Sequence, residues 1–143
     1  MTIAAILKQK GSEVARTSPT ATVADVARDL AARRIGAVLV LDTADQVLGI
    51  FSERDIVNSL ARHGAATLTM TAAQLMTEVL HTASPQTTVG EAMAQMTTHR
   101  VRHLPVLDGT RLVGIVSIGD VVKARIDQQE HEVDSLKAYV AGA

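Results

Sequence analysis

The chain has 143 residues, 47% of them hydrophobic and 20% charged, with a formal net charge of −1. This composition suits a compact globular protein, no apolar run approaches the roughly 20 residues that span a bilayer, and the amino terminus lacks a secretion-signal pattern. The balanced charge and the scarcity of aromatic residues argue against nucleic-acid binding. Without cysteine, disulfides, thiolate nucleophiles and cysteine-ligated zinc are excluded. We expect a cytoplasmic protein that binds neither nucleic acid nor membrane.

The first half of the chain predicts a short leading helix followed by a β-α-β-β-α unit. Residues 2–8 can form the leading helix, and residues 14–17 a short strand. Apolar residues at i, i+3, i+4 and i+7 from Val23 to Leu30 mark an amphipathic helix, with a weak capping box at its start. The remaining elements are strands 37–41 and 47–51, joined by a turn, and a helix from Glu53 to His63 that ends at Gly64.

The second half predicts the same order of elements. Residues 71–76 form the counterpart of the leading helix, and residues 79–82 a short strand. Thr88 and Glu91 have the spacing of a capping box, at the start of a second amphipathic helix. Strands 104–107 and 112–116 then form a hairpin, and a longer helix runs from about residue 118 to residue 140.

The two halves are an internal repeat. VLGIFSERDIV in the first half becomes LVGIVSIGDVV in the second, so that a Gly, a Ser and an Asp recur at matched spacing. These residues are Gly49, Ser52 and Asp55 in the first copy and Gly114, Ser117 and Asp120 in the second. One residue is lost in the turn of the second hairpin, where a deletion is tolerated best. The function must therefore be sought in what two copies build.

The repeated Ser and Asp have the chemistry of a nucleotide site. Both would lie on the first turn of a helix, whose free N–H groups favour a phosphate, and the Asp can accept hydrogen bonds from a ribose diol. The repeated Gly, without a Cβ, permits close approach of a ligand or of backbone. A second interpretation stays open, because S-x-x-D is also a weak capping box and Gly in a strand also marks tight packing.

Arginines and a histidine stand just before the second hairpin. Arg100, Arg102 and His103 could neutralise a phosphate, and Arg54 is a further candidate. The alternative is that the residues before the strand are simply solvent-exposed, with one structural histidine. The other histidines lack metal-ligand spacing, which predicts no metal site. Ser52 and Ser117 lie outside any G-x-S-x-G elbow and have no neighbouring histidine in sequence, which argues against catalysis.

The paired units, the TSP and TASP stretches before Thr-capped helices, HRVRHLPVLD and the repeated G-I-x-S-x-x-D resemble the cystathionine-β-synthase (CBS) domain pair, or Bateman module. The resemblance covers about residues 2–130. It implies an α/β (α+β) fold in which two tandem β-α-β-β-α repeats pack with pseudo-twofold symmetry. The expected boundaries are a first repeat with its leading helix at 1–68, a second repeat at 69–130 and a helical extension at 131–143.

The resemblance also implies a function. Such modules are non-catalytic sensors that bind adenosine-containing ligands in clefts between the two repeats; AMP is the first expectation here, with ADP, ATP, NAD or S-adenosylmethionine as alternatives. The other interpretation is an interaction or dimerisation module with vestigial clefts. An unidentified regulated protein is an expected partner. The candidate binding residues are Thr17, Ala37, Val38, Ser52, Arg54, Asp55, Thr82, Arg100, Arg102, His103, Leu104, Pro105, Ser117 and Asp120.

Apolar stripes on the helices predict a homodimer. The last helices of the two repeats carry apolar residues that a module of this size has difficulty covering alone. The final segment DQQEHEVDSLKAYVAGA also has apolar residues among charges, as in a helix that packs on a second copy or a partner. The predicted dimer stripes are Ile56, Val57, Leu60, Val121 and Val122, and the terminal stripe is Ile126, Val133, Leu136 and Val140.

Overall fold

Two separate hydrophobic cores divide the chain. The structure is a computed structural model that describes residues 1–79 and 81–142. The first unit comprises Val14–Leu80, and the second unit combines Met1–Glu13 with His81–Ala143. Each unit therefore holds one copy of the repeat. The second unit also takes the amino-terminal segment, which the sequence boundaries assigned to the first repeat.

The described part of the chain is built from short strands and helices. In chain order the elements are α1 (Ile3–Lys10), β1 (Arg16–Thr17), α2 (Val23–Arg33), β2 (Ala37–Leu41), β3 (Val47–Ser52), α3 (Glu53–His63), a 3₁₀ helix (Gly64–Thr69), α4 (Ala72–Leu75), β4 (Thr77–Glu78), α5 (Val89–His99), β5 (His103–Asp108), β6 (Arg111–Ser117) and α6 (Ile118–Gly142). None of these helices is long and apolar enough to cross a membrane.

The first unit is a four-stranded sheet in the order β1-β2-β3-β4 with helices packed on it. β1 runs parallel to β2, whereas the β2–β3 and β3–β4 pairs are antiparallel. All five residues of β2 are buried, which explains its unbroken apolar sequence. The apolar stripe of α2 and the fully buried Phe51 of β3 complete the core.

The second unit is built on the β5–β6 hairpin, which is antiparallel over its whole length. A single parallel bridge from Ala83 to Val106 extends this sheet. Thr88 is the N-cap of α5, and its side chain and that of Glu91 form the predicted capping box. The helix buries Val89 and Met96. The amino-terminal helix α1 contributes Ile3 and Ile6 to this core.

Each short leading helix packs at the start of a repeat's first long helix. In the second unit Thr2 bridges Thr88, and in the first unit Thr71 bridges Thr22. Backbone hydrogen bonds continue both junctions, from the N–H of Ile3 to the oxygen of Thr87 and from the N–H of Ala72 to the oxygen of Ala21. The helix that precedes the first repeat in sequence thus belongs to the second unit.

The predicted strand at residues 79–82 and one predicted dimer residue need separate mention. Leu80 lies outside the described residues; the described neighbours Val79, His81 and Thr82 are not in a strand, and the chain pairs one residue later, at Ala83. Val121, predicted to lie on a dimer stripe, is fully buried in the core of the second unit. That part of the dimer prediction is wrong, because α6 uses this face to pack on its own sheet.

Candidate functional site

In the first unit, Ser52 and Asp55 form a reciprocal capping box at the start of α3. The carboxylate Oδ2 of Asp55 accepts hydrogen bonds from the backbone N–H of Ser52 at 2.9 Å and from its hydroxyl at 3.1 Å. The hydroxyl of Thr77, on β4, donates to the other oxygen of Asp55 at 3.1 Å. The carboxylate is therefore fixed by neutral donors, and it has acceptor capacity left for a ligand.

In the second unit, the same junction has a charged partner. Oδ2 of Asp120 accepts from the backbone N–H of Ser117 at 2.8 Å, and the N–H of Asp120 donates to the Ser117 hydroxyl at 3.1 Å. Lys10, the last residue of α1, donates to the same Oδ2 at 2.7 Å and to the carbonyl of Ile115 at 2.9 Å. An ion pair thus stands where the first unit has a hydroxyl.

The ion pair changes the acidity of Asp120. Partial burial raises the pKa of its carboxyl, but the hydrogen bond from Lys10, the hydrogen bond from the Ser117 backbone and the positive charge of Lys10 act in the opposite direction. The net result is a pKa below the ordinary value of 3.8. Asp120 is therefore negatively charged at neutral pH and is held in place by a cation.

The repeated glycines are packing positions. A Cβ on Gly49 would lie 2.7 Å from the backbone oxygen of Thr77 and 2.8 Å from the sulfur of Met76. A Cβ on Gly114 would lie 2.7 Å from Cδ2 of Leu7. The space beside Gly49 is filled by residues that follow α4, and the space beside Gly114 by a residue of α1. In both units the glycine therefore permits close approach of another segment of the chain.

The strand starts lie beside the helix starts in both units. Ala37 pairs with Ser52, and His103 pairs with Ser117. The N–H of Glu53 donates to the oxygen of Gly36 at 3.0 Å, and the N–H of Ile118 donates to the oxygen of Arg102 at 2.8 Å.

These equivalent points differ in charge. In the first unit the Glu53 carboxylate lies against Gly36, so closely that a Cβ there would be 2.7 Å from its Oε1. In the second unit, the exposed Arg102 occupies the position of Gly36. A phosphate would therefore meet an acid at this point of the first unit and a base at this point of the second.

The predicted site residues divide into buried and accessible groups. The buried ones could offer a ligand little beyond their backbone: Ala37, Val38, Leu104 and Pro105. Thr17 and His103 are half-buried, at the end of β1 and the start of β5, whereas four others are exposed: Arg54, Thr82, Arg100 and Arg102. Arg100 also ends α5 in a left-handed conformation. The structural equivalent of Thr17 is Ala83, not Thr82, because each bridges its unit's first hairpin strand.

Two residues at the junctions were missed from the sequence. Thr77 and Lys10 each follow or end a short leading helix, and each donates to the repeated Asp. No local pattern marks them, since a Lys and a Thr at a helix end are common.

A cavity of about 120 Å³ beside Asp120 and Lys10 is smaller than typical pockets for drug-sized ligands. In residues 1–79 and 81–142, no cluster of acidic and histidine side chains could hold a metal.

Comparison with known proteins identifies the repeat. Residues 12–62 and 72–127 each match the CBS domain. The chain belongs to the CBS domain family. It is 33% identical to the mitochondrial CBS domain-containing protein CBSX3 of Arabidopsis thaliana, over 99% of this chain and 72% of that protein. The fold class and the two repeats predicted from the sequence are thereby confirmed.

Solved CBS structures are similar along nearly the whole chain. A CBS-domain containing protein from Agrobacterium tumefaciens is 42% identical, with a TM-score of 0.84, and the match covers 87% of this chain and 92% of that one. A CBS domain protein from Pyrobaculum aerophilum, solved in complex with AMP, is 26% identical, with a TM-score of 0.74 and coverage of 84% and 89%.

Proposed function

We propose that this CBS domain pair is a regulatory module that binds an adenosine-containing nucleotide, with AMP as the first ligand to test. The observation that carries the proposal is the duplicated junction of Ser and Asp, in which a part-buried carboxylate lies on the first turn of a helix beside the start of a strand. Such a junction combines an acceptor for a ribose diol with the positive end of a helix for a phosphate.

The two junctions are suited to different parts of a nucleotide. Within residues 1–79 and 81–142, the Asp55 carboxylate has only neutral donors, so an incoming diol would compete with no cation of that part of the chain. At the second junction, Arg102 and Lys10 supply positive charge close to the start of α6, which favours a phosphate. His103 adds a further polar group at the same strand start. Taken each by itself, the first unit offers Asp55 as its candidate for a ribose, and the second unit offers Arg102 and His103 as its candidates for a phosphate.

The AMP complex of the relative from Pyrobaculum aerophilum supports an adenosyl ligand in general terms. ADP, ATP, NAD and S-adenosylmethionine remain alternatives, since the described side chains do not set a phosphate count. We propose a sensing role without turnover, toward a regulated protein still to be found. The homodimer and the cytoplasmic location stay predictions. Val57 and Leu60, two residues of the predicted dimer stripe on α3, are exposed and therefore accessible to a second copy.

The test is a titration of AMP and adenosine by calorimetry, after native mass spectrometry of the protein as purified. Replacing Arg102→Gly and His103→Ala, the residues of the first repeat, should weaken AMP binding about tenfold and leave adenosine binding nearly unchanged. Arg111→Gly is the control, because it removes an equal charge at the other end of the hairpin. Equal weakening of both ligands would refute the phosphate assignment, and hydrolysis of the nucleotide would refute the non-catalytic role.

A second candidate function has one observation in its favour. Asp120 already forms an ion pair with Lys10, as expected if this junction has only a structural role. The chain would then be an interaction or dimerisation module with vestigial binding sites. Absence of saturable binding to every adenosyl ligand at millimolar concentration would favour this function over the sensor.

A further inference from the structure

The outer part of α6 carries apolar side chains that its own unit does not cover. Within Ile118–Gly142 the buried residues are Val121 and Ala124, both near the start of the helix. Farther along, five large apolar residues are 48% to 77% exposed: Ile126, Val133, Leu136, Tyr139 and Val140. Exposure of this extent on one helix marks an interaction surface.

Most of these residues form one seam with the spacing of a coiled coil. Val122, Ile126, Gln129, Val133, Leu136 and Val140 alternate in steps of four and three residues, which is the pattern of positions a and d in a heptad repeat. β-branched residues occupy position a, at Ile126, Val133 and Val140. Position d holds Val122, Leu136 and one polar residue, Gln129. β-branched residues at a with Leu at d favour two strands.

The seam does not face the core of the second unit. At 3.6 residues per turn, the seam lies roughly 130° around the helix axis from Val121 and Ala124, which pack into the core. The two faces are therefore separate, and α6 can pack on its own sheet while presenting the seam elsewhere. Val122, at the start of the seam, is already 39% exposed.

We propose that α6 pairs with α6 of a second copy of this chain as a parallel, two-stranded coiled coil over residues 122–140. The charges beside the seam carry the choice of occupant. Arg125 and Glu132 occupy position g, and Glu130 and Lys137 occupy position e. In a parallel pair each g residue faces the e residue five positions later on the other helix. Arg125 then faces Glu130 of the second copy, and Glu132 faces Lys137 of the second copy.

The antiparallel arrangement lacks this complementarity. Antiparallel helices bring e residues opposite e residues, and alignment of the seams about Glu130 places the two copies of Glu130 together and Lys123 against Lys137. Both contacts join like charges, which destabilises a helix pair. The sequence beside the seam therefore selects the parallel orientation.

A lipid surface is a poorer occupant. Membrane-surface helices carry a polar face rich in Lys and Arg, which is attracted to anionic lipids. The polar positions of α6 between Lys123 and Lys137 instead carry more acidic than basic residues, including Asp127, Glu130, Glu132 and Asp134. The seam covers fewer than three heptads, but α6 is already anchored through Val121 and Ala124, so pairing need not bear the whole cost of helix nucleation.

The first test exchanges charges across the proposed pair. Glu132→Lys alone and Lys137→Glu alone should each weaken the dimer about tenfold in sedimentation equilibrium, because each creates two like-charge contacts. The double variant should return to within about threefold of the wild type. Asp134→Lys is the matched control: it makes the same charge change two residues away, off the seam, and should leave the dimer unchanged. Far-UV circular dichroism checks that the helix persists in every variant.

The second test uses the absence of cysteine from the chain. Leu136→Cys should give disulfide-linked dimers under mild oxidation, whereas Ser135→Cys, on another face of the helix, should not. A monomeric wild type at tens of micromolar would overturn the proposal, as would single charge variants that dimerise as well as the wild type. Cross-linking between Val122→Cys and Leu136→Cys chains in a mixture would overturn the parallel orientation. If monomers instead floated with anionic vesicles, a lipid surface rather than a second copy would be the partner of the seam, and the proposal would be overturned.

Discussion

The two repeats hold the same carboxylate in different ways. Asp55 accepts a hydrogen bond from the hydroxyl of Thr77, and the acidic Glu53 lies on the same helical turn. Asp120 accepts a hydrogen bond from the ammonium group of Lys10 and lies in the unit that carries Arg102. The backbone geometry of the two junctions is nearly equal, since both Asp residues accept from the N–H of the preceding Ser. Duplication has thus kept the scaffold and changed the charge, which gives the two sites unequal chemistry.

The largest expected difference between the repeats concerns their glycines. Gly49→Ala should destabilise the protein by about 3 kcal/mol, because the new methyl meets the backbone oxygen of Thr77, which cannot move alone. Gly114→Ala should cost only about 1 kcal/mol, because the side chain of Leu7 can change rotamer. Urea unfolding of both variants measures the difference.

The control for this pair is Gly90→Ala. Gly90 lies inside α5, where an added methyl meets nothing within 4 Å, and alanine should raise stability by about 0.5–1 kcal/mol. If Gly114→Ala proved as costly as Gly49→Ala, then the leading segment of the second unit would be as rigid as β4, and the contrast would be lost.

The second difference lies in ligand binding and depends on the proposed ribose role. Asp55→Asn should weaken nucleotide binding by about 1–3 kcal/mol with little loss of stability, because the amide oxygen of Asn can still accept from the N–H of Ser52 and its NH₂ group can donate to the Thr77 hydroxyl. Asp120→Asn should instead lower stability, since it removes the charge that Lys10 neutralises, and it should change affinity less. Calorimetric titration and thermal unfolding of the two variants separate these outcomes; equal losses of affinity would show that Lys10 yields its place to the ligand.

Local signals predicted nearly all the elements. The bounds expected for β2 and for α3 agree with the structure, because an unbroken apolar run and a helix between a cap and Gly64 are local features. The Thr22 hydroxyl accepts from the N–H of Asp25. Among the hydrogen bonds of the described residues, none runs back from the N–H of Thr22 to the Asp25 carboxylate, as a weak capping box predicts.

The partners of the site could not be predicted in the same way. Lys10 reaches Asp120 only because α1 packs in the second unit, 110 positions away in sequence. The direction in which a leading segment runs depends on the whole chain path, which no periodicity records. The path of the leading segments also explains the repeated glycines, which were open to two interpretations from the sequence. They prove to be packing positions against Met76 and Leu7.

The third difference is in the helices that follow the repeated Asp. Ser59 of α3 and Ala124 of α6 are equivalent and buried, but α3 ends at His63 and the chain folds back from Gly64 as a 3₁₀ helix. The hydroxyls of Ser59 and the buried Thr67 bond at 2.8 Å across this return. Ser59→Ala, the residue of the second repeat, should cost about 1–2 kcal/mol in urea unfolding, because it leaves the Thr67 hydroxyl without its partner.

Removal of both hydroxyls sharpens that result. The double variant Ser59→Ala, Thr67→Val should recover most of the loss, since replacing both members of a buried pair by apolar groups is nearly neutral. If the double variant were as unstable as Ser59→Ala, then the loss would come from packing against Met70, whose sulfur lies 3.7 Å from the Ser59 hydroxyl.

The smallest expected effect is the pH dependence of the ion pair that distinguishes the second repeat. Lys10→Met should cost about 0.5–1 kcal/mol at pH 7, as expected for a partly exposed pair, whereas Lys8→Met in the same helix end should cost less. Because the folded-state pKa of Asp120 lies below its ordinary value of 3.8, its contribution is present above that value and is lost as the pH falls through the folded pKa. The stability difference between the wild type and Lys10→Met, measured by urea unfolding, should therefore stay constant from pH 7 to about pH 5 and shrink below about pH 4. A difference that disappeared near pH 6 would assign the effect to a histidine, and one that persisted unchanged at pH 2 would assign it to the packing of the lysine side chain.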